Sequence, residues 1–332
     1  MSHPRHVRPR VLVTRRVPQP ALDQIAAIAE IRLWEGDDPI PYATLMEWAV
    51  GCDGLYCLLT DRIDSAVLDA AGSSLKVVSN MAVGYDNVDV AACTARRIPV
   101  GNTPGVLTET TADLTLALML ATLRRIVEAT EFVKQDRWQT WRPMELTGQD
   151  LSGSTVGIVG LGRIGMAVAR RLKGFGCHLL YTQPEPVVPE AEALGAAYVP
   201  LDTLLEASDV VTLHCPLNES TRGLIGAKEL SRMKPTAVLI NTARGPVVDQ
   251  VALLDALRRG VIGGAGLDVT DPEPMRADHP LLSLPNVVVL PHIGSASVAT
   301  RTRMASMAAD NLLAGLHGER LPYCVNPEVY RI

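Results

Sequence analysis

A chain of 332 residues, 47% of them hydrophobic, is long enough for two domains that each bury a core. Its net charge of −5 argues against nucleic acid as the main partner, and no apolar run reaches the about 18 residues of a membrane span. The six cysteines contain no C-x-x-C pair, which predicts reduced thiols in a cytoplasmic protein and no metal site.

The first hundred residues alternate between strand and helix patterns. Strands are predicted at Val11–Thr14, Glu30–Leu33, Gly54–Leu59, Val77–Ser79 and Pro99–Asn102, and helices over 19–29, 42–50, 64–72 and 88–97. Strands that alternate with helices form parallel sheets, so this region is predicted to be a doubly wound α/β unit.

One long helix is predicted from Glu109 to Lys134, followed by a protruding loop over Arg137–Pro143 that contains two of the four tryptophans. A second βα series begins at Ser154. Its later strands are predicted at His178–Thr182, Ala197–Val199, Val210–His214, Ala237–Asn241, Gly263–Asp268 and Val287–Leu290. A helix over 296–316 and a proline-rich extended tail end the chain.

A glycine motif follows the first strand of that second series. Gly160-Leu161-Gly162-Arg163-Ile164-Gly165 lies between the apolar run Thr155–Val159 and a helical pattern, as in the G-x-G-x-x-G loop that binds the pyrophosphate of a dinucleotide. Residues 106–292 are therefore predicted to form a dinucleotide-binding Rossmann domain. Residues 1–105 and 293–332 remain for a discontinuous, flavodoxin-like, substrate-binding domain.

Three polar side chains each follow a predicted strand of the Rossmann domain. Arg244 offers a planar fork suited to a carboxylate, Glu273 is held between two prolines, and His292 can transfer a proton near neutral pH. Each also has an ordinary structural interpretation, as a surface arginine, a turn carboxylate or a loop histidine. Together with a dinucleotide they supply what the reduction of a 2-keto acid needs. Arg244 would bind the carboxylate, His292 would protonate the carbonyl oxygen, and Glu273 would keep His292 protonated and oriented.

Four segments carry a resemblance to a known family, namely Gly160–Gly165, Asn241–Gly245, Asp268–Pro274 and Pro291–Ser295. In this order they resemble the D-isomer-specific 2-hydroxyacid dehydrogenases, and the likeness covers essentially the whole chain. Four further segments make the branch that reduces glyoxylate and hydroxypyruvate the most similar one: Val11–Arg16, Met81–Gly84, Thr103–Thr108 and Leu267–Thr270. The products of that branch would be the D-2-hydroxy acids glycolate and D-glycerate.

The resemblance implies roles for individual residues. Arg244, Glu273 and His292 would be catalytic, and Val83, Gly84, Arg244, His292 and Trp141 would contact substrate, with Trp141 reaching the pocket of the neighbouring subunit of a homodimer. Trp141 could equally be a buried aromatic of the dimer interface. The cofactor contacts expected from the motif and the family are Thr108, Gly160, Gly162, Arg163, Ile164, Gly165, Gln183, Cys215, Pro216, Thr221, Thr242, Ala243, Asp268 and Gly294.

One position departs from the NAD-specific pattern. Gln183 stands where an acidic residue would bind the ribose hydroxyls, although Glu185 could reach them instead. The loss of a carboxylate removes repulsion toward a 2′-phosphate, which favours NADP or the use of both dinucleotides. NADP-preferring relatives usually place an arginine in this loop, and none lies between residues 172 and 221. Alternatives are another 2-hydroxyacid or phosphite dehydrogenase on the same scaffold, or a dinucleotide-sensing dimer of the corepressor type.

Overall fold

The computed structural model describes residues 8–185 and 189–331. The chain folds into two compact units, one within Met1–Leu107 and Ala296–Ile332, the other within Thr108–Ser295. The elements of the first half are Arg10–Val13 (β1), Gln19–Ile28 (α1), Glu30–Leu33 (β2), Tyr42–Ala49 (α2), Gly54–Cys57 (β3), Ser65–Ala71 (α3), Val77–Asn80 (β4), Val90–Ala95 (α4), Val100–Gly101 (β5), Thr108–Leu123 (α5) and Ile126–Lys134 (α6).

The second half repeats the alternation of strand and helix. Its elements are Thr155–Val159 (β6), Arg163–Gly174 (α7), His178–Thr182 (β7), Pro189–Leu194 (α8), Ala197–Tyr198 (β8), Leu201–Ala207 (α9), Val210–Leu213 (β9), Ala227–Arg232 (α10), Val238–Asn241 (β10), Gln250–Arg258 (α11), Gly264–Leu267 (β11), Val287–Val289 (β12) and Val298–Leu316 (α12).

The first unit contains a five-stranded parallel sheet in the order β2-β1-β3-β4-β5. Strands β3 and β4 are buried along their whole length, and β4 ends in two buried polar residues, Ser79 and Asn80. Helix α12 covers one face of this sheet. The Tyr56 hydroxyl donates to the Ala305 carbonyl at 3.0 Å, and the Ser79 hydroxyl donates to that of Ala308 at 2.7 Å.

The second unit contains a seven-stranded parallel sheet in the order β12-β11-β10-β9-β6-β7-β8. All strands run parallel, but the order in which they are added reverses at β6 and β9, which are neighbours in the sheet but not in sequence. Ligands of doubly wound proteins bind at such a switch point, beyond the carboxyl ends of the strands. The predicted fold class, two doubly wound parallel sheets, is confirmed.

The prediction of one helix over 109–134 is wrong. Helix α5 ends at Leu123, and Arg125 adopts a left-handed conformation with φ 53° before α6 begins. The Leu123 carbonyl accepts a hydrogen bond from Gln149 N at 2.9 Å, and a Cβ on Gly148 would overlap that same carbonyl oxygen. A segment 25 residues downstream thus competes for a carbonyl at the helix end, which no local pattern reveals.

The tail is less extended than predicted, because it ends in a 3₁₀ turn over Pro327–Tyr330. The side chain of Asn326 accepts from Val100 N at 2.8 Å and donates to the Ile98 carbonyl at 3.0 Å, which fastens the tail beside β5. Within the two described ranges, no helix has the length and apolar character needed to cross a bilayer.

Candidate active site

The glycine loop joins β6 to α7, and its three glycines face different surroundings. Gly160 has φ 92°, and a Cβ there would lie 2.8 Å from Cys215 N. A Cβ on Gly165 would overlap the Gly160 carbonyl oxygen, so this glycine lets the helix approach the loop. A Cβ on Gly162 would meet no described atom within 4 Å. Gly160 and Gly165 are therefore required by the packing of the protein itself, whereas Gly162 leaves open space beside the loop.

That open space lies at the amino end of α7. Gly162 caps the helix without a side-chain hydrogen bond, so the first N–H groups of the helix, beginning with Arg163 and Ile164, keep their donor capacity. An exposed helix N-terminus beside a position free of side-chain atoms suits a pyrophosphate. The residues present therefore fit a dinucleotide.

Gln183 lies at the carboxyl end of β7, and both ends of its amide are used within the protein. Its Oε1 accepts from Leu161 N at 3.1 Å, and its Nε2 donates to the Glu185 carbonyl at 2.6 Å. The amide thus joins the glycine loop to the loop that follows β7. No carboxylate stands at this position.

The loop after β9 packs against the glycine loop at the switch point. Burial raises the pKa of the Cys215 thiol to about 11 and lowers the pKa of His214 to about 4, so both groups are neutral at physiological pH. The Thr221 hydroxyl donates to the Pro216 carbonyl at 2.6 Å and closes the loop. The predicted cofactor residues Cys215, Pro216 and Thr221 thus lie in one short loop.

Arg244 lies in a short loop after β10 that the buried Asn241 holds at two points. The Asn241 amide donates to the Arg244 carbonyl at 2.9 Å and accepts from Ala243 N at 3.0 Å. Within the same loop, the hydroxyl of Thr242 lies 3.0 Å from that of Thr115 on α5. A Cβ on Gly245 would overlap the Thr270 carbonyl, so this loop touches the one that leads to Glu273.

Glu273 and His292 form a short, partly exposed pair. Glu273 Oε1 lies 2.6 Å from His292 Nδ1, and the side chains are 36% and 24% exposed. Burial raises the pKa of the Glu273 carboxyl, but the hydrogen bond and charge of His292, together with the charge of Arg244, outweigh it and lower that pKa overall. The carboxylate is therefore ionised, and it orients the ring so that Nε2 is left for a ligand.

Asp268 holds the loop that carries this histidine. Its carboxylate oxygens accept from Ile293 N and Gly294 N, each at 2.8 Å, and its own carbonyl accepts from His292 N at 2.9 Å. His292 has φ 54°, a left-handed conformation that is uncommon outside glycine. The three bonds offset the cost of that conformation and aim the imidazole. Sequence reasoning missed this clamp, because its partners are 24 to 26 residues away.

Residues 116–294 match the family model described as D-isomer specific 2-hydroxyacid dehydrogenase, NAD binding domain. The chain belongs to this family. It is 51% identical to a glyoxylate reductase of Korarchaeum cryptofilum over 98% of each chain. It is 49% identical to the human glyoxylate reductase/hydroxypyruvate reductase, over 94% of this chain and 96% of that one.

A solved family structure has the same architecture. The crystal structure of the NADPH-dependent glyoxylate/hydroxypyruvate reductase of Sinorhizobium meliloti, in complex with NADP and malonate, superposes with a TM-score of 0.87 at 39% identity. The match covers 98% of this chain and 99% of that one. Dehydrogenases of this family thus extend over both units of the present chain.

The remaining predicted dehydrogenase residues lie elsewhere in the fold. Val83 and Gly84 belong to the loop after β4 in the first unit, and Thr108 is the first residue of α5. Trp141 lies in the loop after α6 and is 80% exposed. The structure gives each its place, and its ligand contact stays a prediction.

Two positioning residues of this dehydrogenase escaped the sequence analysis besides the clamp role of Asp268. Asn241 and Gly245 flank the arginine loop, and both are buried. A signal was available, since a buried asparagine at the end of a strand often bonds to the backbone of the turn that follows. The close approach at Gly245 carried no sequence signal, because its neighbour Thr270 lies in the loop after the next strand, β11.

Proposed function

We propose that this dehydrogenase reduces glyoxylate and hydroxypyruvate to glycolate and D-glycerate. The observation that carries the proposal is the 2.6 Å pair of Glu273 and His292, with Arg244 on the adjacent strand end. Relatives that match along nearly the whole chain bear the names of these two activities. Reduction of a 2-keto acid requires a proton donor for the carbonyl oxygen, here His292, and a cation for the carboxylate, here Arg244.

Each residue of the site has a distinct task. Arg244 binds the substrate carboxylate through its guanidinium fork and draws electron density from the neighbouring carbonyl. His292 donates a proton to the carbonyl oxygen as that oxygen gains charge, which contributes about 10²- to 10⁴-fold in rate. Glu273 stabilises the protonated ring, while Asp268 holds the loop below it. After the reaction His292 takes up a proton from solvent.

A nicotinamide dinucleotide supplies the hydride for this reaction when bound. Gly162, Arg163 and Ile164 would hold its pyrophosphate at the amino end of α7. Thr108, Thr242, Ala243 and Gly294 complete the proposed contacts. NADP is favoured over NAD, because position 183 carries an uncharged amide that is already engaged by Leu161 N and the Glu185 carbonyl.

A homodimer is the proposed functional state, with Trp141 as the residue that a neighbouring subunit would cover or use. Trp138, Trp141 and Met144 are 62%, 80% and 80% exposed, and large apolar side chains grouped on a surface mark an interaction site. The cytoplasm is the proposed location, since all six cysteines are free thiols, as is usual in a reducing compartment.

The test is the oxidation of NADPH and NADH by the purified protein with glyoxylate, hydroxypyruvate, pyruvate and 2-ketogluconate, with phosphite tried in the oxidative direction. We expect turnover with the first two acids, a lower Michaelis constant for NADPH than for NADH, and a loss of about 100-fold or more in His292→Ala with NADPH affinity retained. Unchanged turnover in His292→Ala would remove the histidine from the mechanism. A protein that binds the dinucleotide but reduces none of the acids would favour a sensing role.

A further inference from the structure

The loop after β4 presents a row of backbone donors. Among the residues that the structure describes, the N–H groups of Val83, Gly84 and Tyr85 make no hydrogen bond within the protein. Val83 and Gly84 are half-buried. Tyr85 is exposed. Consecutive backbone N–H groups that lack a partner in the protein can form a concave site for an anion.

The carbonyls of the same loop are all engaged. The Ala82 carbonyl accepts from Thr103 N at 2.8 Å, the Val83 carbonyl from Asn102 Nδ2 at 2.9 Å, and the Gly84 carbonyl from Asn80 Nδ2 at 3.0 Å. In a planar trans peptide the C=O of one residue and the N–H of the next point in opposite directions. Each bonded carbonyl therefore fixes the direction of the following N–H group.

Asn102 is itself braced by the C-terminal segment of the same unit. The buried Asn311 of α12 donates to the Asn102 carbonyl at 2.9 Å, and Asn102 N donates to the Tyr323 carbonyl at 3.2 Å. Asn311 also accepts from Tyr323 N at 2.9 Å. A Cβ on Gly101 would lie 2.7 Å from the Asn311 side chain, so the glycine before Asn102 makes room for this brace.

Asn80 has a comparable support on the other side of the loop. Its amide donates to Asn87 Oδ1 at 3.1 Å, and the Asn87 amide donates to the Leu58 and Asp61 carbonyls at 3.0 and 2.9 Å. Two asparagine networks thus fasten one short loop, one from the end of β4 and one from the residue after the neighbouring strand β5. A loop that served only to connect β4 to α4 would not need both.

We propose that Asn102, braced by Asn311 and Tyr323, and Asn80 are positioning residues that aim the N–H groups of Val83, Gly84 and Tyr85 at the carboxylate of the substrate. The inference rests on the proposed function, in which the bound molecule is a 2-keto acid. It adds the asparagines and the C-terminal brace to that function. Loss of an asparagine donor would free the loop carbonyl and loosen carboxylate binding, while the groups that transfer the proton stay in place.

The experiment compares Asn102→Ala and Asn102→Asp with wild type. Oxamate, an unreactive analogue of a 2-keto acid, is titrated calorimetrically into the enzyme saturated with NADPH, and kcat is measured at saturating glyoxylate. We expect the oxamate Kd and the glyoxylate KM to rise about tenfold in both variants, with kcat within about twofold, because a loosened loop would weaken an N–H bond to the charged carboxylate. Asn102→Asp keeps the shape of the side chain, so it remains informative should Asn102→Ala fold poorly.

Asn326→Ala is the matched control. Asn326 is also buried in the first unit and also bonds to backbone, at Val100 and Ile98, which lie before Asn102 in the chain. We expect it to lower the melting temperature and leave the oxamate Kd unchanged. Equal Kd values in wild type and both Asn102 variants would overturn the inference, as would a parallel weakening in the control. A wild type that binds oxamate yet reduces neither glyoxylate nor hydroxypyruvate would instead overturn the proposed function.

Discussion

At the scale of single residues, the site depends on three carboxylate or imidazole groups that share two loops. Glu273 stays ionised although it is half-buried, because its contact with His292 outweighs the cost of burial. Burial raises the pKa of Asp268, whose two oxygens are satisfied by backbone N–H groups. One carboxylate therefore supports the charge of the imidazole, and the other supports its backbone.

Glu273→Gln tests the first of these roles. In the proposed mechanism the reduction needs a proton on His292, so we expect its rate to fall as pH rises, and the ionised Glu273 would support the protonated ring. With the neutral amide this support is lost, and we expect a lower kcat and a falling limb that moves to lower pH. The measurement is the pH profile of kcat/KM for glyoxylate between about pH 5 and 8.

Asp278→Asn serves as the comparison for that experiment. Asp278 is an exposed carboxylate in the same segment, and it pairs with Arg276 at 3.1 Å rather than with His292. Its profile should overlay that of wild type. A falling limb at the same pH in Glu273→Gln and wild type would show that Glu273 does not support the charge of the ring.

At the scale of elements, the six-residue motif at the junction of β6 with α7 contains glycines with different roles, some in packing and one proposed for ligand binding. A Cβ on Gly160 or Gly165 would overlap atoms of the protein, whereas a Cβ on Gly162 would meet none within 4 Å. Two of the glycines are therefore needed for packing, and one is proposed to leave room for the ligand. Sequence spacing alone does not separate them.

Gly162→Ala should weaken the cofactor and spare the fold. Its Cβ would occupy the space proposed for the pyrophosphate, so we expect the Kd for NADPH to rise about tenfold or more, with the melting temperature little changed. Fluorescence titration and a thermal melt provide the two values. Gly174→Ala, at the other end of α7 and equally free of close neighbours, should alter neither. A variant of Gly162 that melts much earlier but binds NADPH normally would contradict this division.

At the scale of the whole molecule, helix α6 and the loop after it carry several exposed large apolar side chains. Ile126, Val127 and Val133 are 49%, 47% and 55% exposed, and the two exposed tryptophans follow directly in sequence. Apolar surface of this extent favours association. In the proposed homodimer, a second copy of the chain would cover this surface.

Val133→Glu should shift the protein toward monomer in sedimentation velocity, because a charge would be buried in the proposed interface. Val251→Glu is the control, since Val251 is 79% exposed on α11, away from α6 in sequence. It should leave the sedimentation coefficient unchanged. If wild type sediments as a monomer at micromolar concentration, the proposed homodimer is wrong.

Much of the fold was predictable because its signals are local. The strands at Glu30–Leu33, Thr155–Val159 and His178–Thr182 have the predicted bounds. Thr155–Val159 is a nearly continuous buried apolar run, whereas Glu30–Leu33 alternates polar and apolar residues at the edge of its sheet. The end of α5 was not predictable, because it depends on Gln149 and Gly148. The candidate site followed the same division. Arg244, Glu273 and His292 were predicted as site residues from their places after strands, whereas the clamp formed by Asp268 and the proposed positioning role of Asn102 were not predicted.

The sequence by itself determined the class of fold, the place of the glycine loop and the candidate residues for the chemistry, because periodicity, glycine spacing and side-chain type are local properties. Only the tertiary structure decided which of those residues meet. His292 reaches Glu273 across 19 residues, and Asn311 reaches Asn102 across 209. Such contacts follow from the order of strands in each sheet, and a hydrogen bond forms only when that order brings donor and acceptor within about 3 Å.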